Sequence, residues 1–263
     1  MTYRAKPADG VAWVTGASAG IGRGVALELA RRGWRVYATA RRADELEALA
    51  RDAQGLGGAV IPAPGDVTDR SAIAALVADI EAQRPIALAF LNAGGGFRDA
   101  PDDFGGEGFA RTFALNVQGV ANGLNPVYNA MRARGRGQIA ITGSLAGYGG
   151  LPNPDAYAPT KAAVIALTTS LRFRAAQHGV TAQIVNPGFV KTPLTAGNTY
   201  PMPFLMECDE ACRRICDGLA RDGFEIRFPR RLAWMMRAVN LLPWGAYFWL
   251  MSRGAPRRQR PGD

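Results

Sequence analysis

Tyr157 and Lys161 stand four positions apart, a spacing that on a helix places both side chains on one face. A phenol is a poor acid or base at neutral pH, because its ordinary pKa is about 10. A neighbouring ammonium favours the phenolate and lowers that value. A shift of about two to three units needs roughly 3 to 4 kcal/mol, which a lysine one turn away in a site closed to water can supply. Ser144 follows the apolar run Gln138-Ile139-Ala140-Ile141-Thr142, which reads as a strand. Its hydroxyl can hydrogen-bond a substrate oxygen beside the phenol. The three residues describe a proton-transfer group with an electrostatic tuner and an orienter, and Asn116 lies upstream of them. Taken alone, a Tyr-x-x-x-Lys pair reads as a pair on a solvated helix. Its weight comes from what precedes it.

The elements that must position these groups begin with Val11-Ala12-Trp13-Val14-Thr15, a short apolar run expected to be a buried first strand. The turn Gly16-Ala17-Ser18-Ala19-Gly20-Ile21-Gly22 follows, and then an amphipathic helix to about residue 32. Strand, glycine-rich turn and helix in this order cradle phosphates. Gly16 permits the tight turn, and Gly20 and Gly22 let a pyrophosphate approach backbone at the helix N-terminus. The spacing is Gly-x-x-x-Gly-x-Gly rather than the commoner Gly-x-Gly-x-x-Gly, and a glycine-rich turn without a ligand is the alternative.

Thr15-Gly16-Ala17-Ser18-Ala19-Gly20-Ile21-Gly22, then Asn92-Ala93-Gly94, Ser144, Tyr157-Ala158-Pro159-Thr160-Lys161 and Asn186-Pro187-Gly188 occur in the order and at the spacings of one family. Over residues 10–195 the chain resembles the short-chain dehydrogenase/reductase superfamily, and the layout extends to about residue 228. The resemblance implies an α/β fold: a doubly wound, seven-stranded parallel sheet of order 3-2-1-4-5-6-7. The dinucleotide would lie across the switch point between strands one and four. It also implies cofactor contacts from Gly16, Ser18, Gly20, Ile21 and Gly22, and from Asn92, Ala93 and Gly94 at the end of the fourth strand.

In relatives that prefer NAD, an acidic residue after the second strand (here residues 34–39) holds the adenosine ribose. That position is Ala40, followed by Arg41 and Arg42. Guanidinium groups bind a 2′-phosphate that a carboxylate would repel, so NADP(H) is expected in preference to NAD(H). The two arginines could instead merely open the next helix, and Arg23 is a further candidate for the phosphate. By resemblance Asp66 would bind the adenine amino group and the Val67 backbone the ring. The alternative is an Asp66 that caps the helix starting near residue 69.

A long helix is expected over residues 109–134, with Asn116 matching the family's catalytic asparagine, which stabilises a helix kink and a water linked to the lysine. A simply packed asparagine is the alternative. A helix over 155–177 carries Tyr157 and Lys161, and the loop before it contains Gly147, Gly149, Gly150, Pro152 and Pro154. Pro187 and Gly188 would lie beside the nicotinamide, Val190 backbone and the Thr192 hydroxyl would meet its carboxamide, and Tyr157 and Lys161 would also touch the cofactor. Residues 195–206 are expected to form an apolar, mobile substrate lid, or to pack on the core.

The 263 residues suffice for one α/β domain. His178, the one histidine, is expected near a helix end, too far away for a Ser-His-Asp mechanism. Cys208, Cys212 and Cys216 recur every four residues, which reads as a half-buried helix face rather than a metal site. No metal is expected. The paucity of cysteines and the polar start, residues 1–10, point to a reducing, cytoplasmic setting. Net charge is +9, of which residues 221–263 carry +6 through nine arginines and three acids. No nucleic-acid motif accompanies it.

Residues 1–228 are expected to be the catalytic domain and 229–263 a basic, apolar extension that is not an independent domain. On the first helix of that extension Leu232, Met235, Met236, Val239 and Leu242 share one face, with Arg230, Arg237 and Asn240 away from it. Three readings stand: peripheral membrane attachment, a cover for the pocket or subunit contact, and a full membrane span. Arg237, Asn240, Pro243 and Gly245 argue against the last. The expected function is NADP(H)-dependent interconversion of a carbonyl and an alcohol, on a lipophilic substrate, in a homo-oligomer (dimer or tetramer). An NAD(H)-dependent alcohol dehydrogenase and a non-catalytic NADP(H) sensor or scaffold are the rivals.

Overall fold

The computed structural model describes residues 3–97, 105–150, 156–198 and 201–253. Pro152, Pro154 and the start of the helix expected over 155–177 fall wholly or partly outside these residues, as do Arg257, Arg258 and Arg260.

The strands are β1 (Val11–Thr15), β2 (Arg35–Thr39), β3 (Ala59–Pro62), β4 (Ile86–Leu91), β5 (Gly137–Thr142), β6 (Val180–Pro187) and β7 (Glu225–Phe228). They form one parallel sheet of order β3-β2-β1-β4-β5-β6-β7, as the family resemblance implied. All residues of β1, β4 and β5 are buried, because a parallel sheet is covered on both faces. Alternate side chains then serve two cores. Ala12 and Val14 pack with α1 (Gly20–Arg31), α2 (Ala43–Asp52) and α7 (Cys208–Leu219). Val11 and Trp13 pack on the opposite face with α3 (Arg70–Gln83), α5 (Gly119–Ala133) and α6 (Tyr157–Ala176). Trp13 is fully buried, and its indole N–H donates to Thr39 Oγ1 at 2.9 Å, so the polar edge of the ring is satisfied.

The long helix expected over 109–134 is composite. It begins as α4 (Glu107–Phe113), loosens into a π-helical turn at Ala114–Gln118, and resumes as α5. Asn116 is in the π turn, whose wider winding directs its side chain out of the helix. Helix α3 is capped by Asp69, which accepts from Ala72 N at 3.0 Å. The alternative cap, Asp66, instead closes a local turn with Thr68.

Cys212 and Cys216 are buried on the face of α7 that meets α1. A Cβ on Gly24 would come within 2.4 Å of Cys212 Sγ, so the cysteine stripe is a packing surface. His178 is exposed beyond the far end of α6, roughly 30 Å from Tyr157 by helix rise. After β7 come α8 (Arg230–Asn240) and α9 (Trp244–Ser252). No helix of the described residues is long and apolar enough to cross a membrane.

Candidate active site

At the end of β1 the chain turns through Gly16 and Gly20, whose φ angles of +68° and +54° suit glycine. The turn is closed from behind. A Cβ on Gly22 would lie 2.1 Å from Gly16 O, and one on Gly16 would lie 2.7 Å from Ala93 Cα. Thr15 Oγ1 accepts from Asn92 N at 2.9 Å and Ala93 N at 3.1 Å, while Thr142 Oγ1 donates to Asn92 Oδ1 at 3.1 Å. These bonds tie the ends of β1, β4 and β5 at the switch point of the sheet. No side chain caps α1, so its leading N–H groups can meet an anionic ligand. A turn that admits backbone approach, at an uncapped helix N-terminus, fits a dinucleotide pyrophosphate.

A cleft of about 380 Å³ opens there. Gly16, Ser18, Gly20 and Ile21 line it from the turn, Arg41 and Arg42 from the end of β2, and Asp66 and Val67 from the segment after β3. Asn92, Ala93 and Gly94 line it from the end of β4, and Pro187, Gly188, Val190 and Thr192 from beyond β6. Two expected site residues stand elsewhere. Gly22 lies behind the turn and shapes it, and Asn116 lies beneath the cleft floor, with its Oδ1 3.1 Å from where a Cβ on Gly94 would be. Arg42 donates to Ser18 Oγ at 3.1 Å. Arg23 does not join them, because its guanidinium pairs with Asp52.

Ser144, Tyr157 and Lys161 meet in the same cleft. Lys161 is 3% exposed, and its ammonium donates to Thr142 O at 2.9 Å and lies 5.6 Å from the Tyr157 ring centroid. Burial lowers its pKa to about 8. Ser144 Oγ accepts from Ala146 N at 3.1 Å and has only a long contact, 3.5 Å, to Pro187 O, so its proton can turn toward a ligand. Asn116 Oδ1 accepts from Gly95 N at 2.8 Å, and Nδ2 donates to Gly95 O and Thr160 Oγ1, each at 2.9 Å. The asparagine thus joins the π turn to α6 and to the segment after β4, all behind Lys161.

A family model for short chain dehydrogenases matches residues 10–201. The chain belongs to the short-chain dehydrogenase/reductase family. An uncharacterized oxidoreductase of Myxococcus xanthus is 39% identical over 92% of this chain and 94% of its own. A Sphingobium yanoikuyae short-chain dehydrogenase, solved with NADPH, superposes with a TM-score of 0.78 at 28% identity, covering 96% and 98% of the two chains. A Burkholderia phymatum family member solved with NAD shares the fold, with a TM-score of 0.80 at 21% identity over 98% and 99% of the two chains. This protein is therefore an oxidoreductase-family chain on an NAD(P)-binding Rossmann-type fold.

Within this family member, the expected lid divides. Met206 is buried and bridges to Val190, with Met206 N donating to Phe189 O at 3.0 Å and Lys191 N to Met206 O at 2.9 Å. Phe204 and Leu205 remain exposed, so among the described residues core packing holds only the end of the segment. Leu194, one residue before the expected lid, lines the cleft, as do Leu115, Gly143 and Thr195. Sequence reasoning placed Thr195 in the expected lid but singled out none of Leu115, Gly143 and Leu194 as ligand contacts.

It also missed a polar cluster beside the loop after Ser144. Glu225 receives hydrogen bonds from Tyr148, from Asn186 Nδ2 at 2.7 Å, from Arg227 Nη1 at 2.6 Å and from Arg237. Burial would raise the Glu225 carboxyl, but these donors and the Arg237 charge hold it below its ordinary value. Burial, and then the bond to Glu225, pushes the Tyr148 phenol above its ordinary value. Arg237 therefore points into the fold, against the expected assignment. Met235 turns outward at 56% exposure, and the buried face of α8 is Leu232 and Ala233, with Met236 packed beside them. Helical periodicity placed the stripe about one residue out of phase, because it cannot register a carboxylate waiting on β7.

Proposed function

We propose that the protein is an NADP(H)-dependent oxidoreductase that interconverts a ketone or aldehyde with the corresponding alcohol, acting on a lipophilic substrate. The observation that carries this reading is the buried Lys161 ammonium beside the Tyr157 ring, in the cleft that Ser144 also lines. When bound, the dihydronicotinamide would supply the hydride to the carbonyl carbon.

The chain's own residues do the rest. Ser144 Oγ–H holds the carbonyl oxygen, and Tyr157 gives that oxygen its phenolic proton as negative charge develops there. Lys161 stabilises the phenolate left behind. With a pKa of about 8, roughly nine tenths of the lysine is charged at pH 7, so desolvation leaves the cation available. Thr142 O fixes the ammonium. Asn116 holds the π turn against Gly95 and Thr160, and so keeps the floor under Lys161 in place. Asp66 and Val67 are assigned to the adenine end, and Val190 and Thr192 to the nicotinamide end. Arg41 and Arg42 line the cleft where an acidic residue would bind an unphosphorylated ribose, and they supply two forks for a 2′-phosphate. Leu115 and Leu194 on the cleft wall support an apolar substrate.

The test is NADPH oxidation, followed by absorbance, over carbonyl compounds graded from small and polar to long and apolar, repeated with NADH. Rates are expected to rise with apolar length and to favour NADPH. The double variant Arg41→Ala, Arg42→Ala should shift preference toward NADH by at least about tenfold, as loss of charge-assisted phosphate contacts dictates. Equal use of both cofactors by the parent protein would remove the arginines from this role. Silence across the panel, with cofactor binding intact, would favour the sensor.

A further inference from the structure

The α8–α9 hairpin ends the described chain with an unusual surface. Its inner side is anchored. Leu232 packs near Gly188 and Leu145, the Asn240 amide lies against Gly149, and the Tyr247 hydroxyl donates to Gly150 O. Its outer side exposes Trp234, Leu241, Trp244, Phe248 and Trp249 at 57%, 85%, 72%, 61% and 58%. An exposed aromatic and aliphatic patch of this density on a water-facing surface marks a contact site.

Two features identify the occupant. The first is the distribution of apolar residues around α9. Trp244, Phe248, Trp249 and Leu250 are spread over well more than half of the helix circumference, and only Tyr247 is buried. A protein partner seats one face of a helix, whereas a helix apolar on nearly all sides needs a surrounding apolar medium. The second is charge. Residues 229–253 contain Arg230, Arg231, Arg237 and Arg253 and no acidic residue. Arg230, Arg231 and Arg253 are exposed, and the Arg253 guanidinium stacks 3.7 Å from the Trp249 ring centroid. Tryptophan with arginine alongside is the pairing that suits the boundary between hydrocarbon and head groups.

We propose that the α8–α9 hairpin docks on an anionic lipid surface, with Trp244, Phe248 and Trp249 entering the acyl boundary and the exposed arginines meeting acidic head groups. The helices lie in the interface rather than crossing it, since α8 has 11 residues and α9 has 9. Each arginine near the surface adds attraction to anionic head groups that salt screens. The contact depends on the shape and charge of the hairpin and not on the reaction assigned to the cleft. Because the hairpin is fastened to Gly149 and Gly150, in the loop after Ser144, docking would bring that side of the cleft close to the lipid.

The full chain should be floated with vesicles of phosphatidylcholine alone and of phosphatidylcholine mixed with phosphatidylserine. The expected result is recovery with the anionic vesicles, weaker recovery with the neutral ones, and a decline with added salt. The double variant Trp244→Ser, Trp249→Ser alters only exposed side chains, and its folding is checked by circular dichroism. It should partition at least about tenfold less. A parent protein that stays soluble with anionic vesicles overturns the proposal. So does a folded variant that floats as well as the parent. A concentration-dependent dimer that the two substitutions dissociate, without vesicle binding, would assign the face to a second copy of the chain instead.

Discussion

The β1–α1 turn and the α8–α9 hairpin are built on one sheet by opposite means. In the turn, backbone approaches backbone so closely that a single Cβ has no room, and Thr15 and Asn92 hydrogen-bond each other behind it. The hairpin rests on a few side chains, the Glu225 cluster and one tyrosine hydroxyl, while most of its large apolar groups face outward. A region held by steric exclusion has one arrangement and leaves a rigid spacing in the sequence. A region held by a few side-chain contacts can change its residues freely, provided the anchors remain. Position is therefore critical in the first region, and surface character in the second.

The largest effect that sharpens this contrast lies between the two, at Tyr157 in the cleft. Tyr157→Phe should lower turnover roughly 100-fold or more, the usual worth of a general acid, with NADPH affinity retained by fluorescence titration. Turnover above about a tenth of the parent value would remove Tyr157 from the role of main acid.

Next comes the turn itself. Gly22→Ala places a Cβ 2.1 Å from Gly16 O and should weaken NADPH binding at least about tenfold, or about 1.4 kcal/mol. The control Gly57→Ala, whose nearest neighbour would be 3.4 Å away, should leave affinity unchanged. Equal affinities in the two variants would break the claim that the turn tolerates no added atom.

The most local effect belongs to the hairpin. Leu232→Ala removes the main apolar anchor of α8 and should cost about 2 kcal/mol. Because few contacts join the hairpin to the sheet, the loss should appear locally. Amide exchange across residues 230–240 should accelerate about 30-fold, with β4 and β5 unaffected. A matching loss of protection in those strands would show that the hairpin and sheet unfold as one unit, and the contrast would fail.

Much of this contrast was legible before any coordinates. Gly16, Gly20 and Gly22 fall within one seven-residue stretch, Asn92 to Gly94 are contiguous, and Tyr157 and Lys161 are one helical turn apart, so each motif encodes its own local geometry. Less legible was the π turn, where the sequence 109–134 carries a helical pattern throughout. Its loosening reflects the partners of Asn116, namely Gly95 and Thr160, which are 21 and 44 positions away. Glu225 was likewise invisible, because its donor Tyr148 is 77 positions away and no short-range pattern links them.

By itself, the sequence determined the strand–turn–helix that lines the cleft, the Tyr-x-x-x-Lys face and the apolar, arginine-rich character of the extension. All three are set within a few residues, by sterics, helical periodicity and composition. Only the tertiary structure decided which way the extension turns. Glu225 on β7 draws Arg237 inward, Met235 is carried outward, and the tryptophans are left on the surface. That choice lies in the satisfaction of a buried carboxylate across long sequence separation, a requirement that no local pattern expresses.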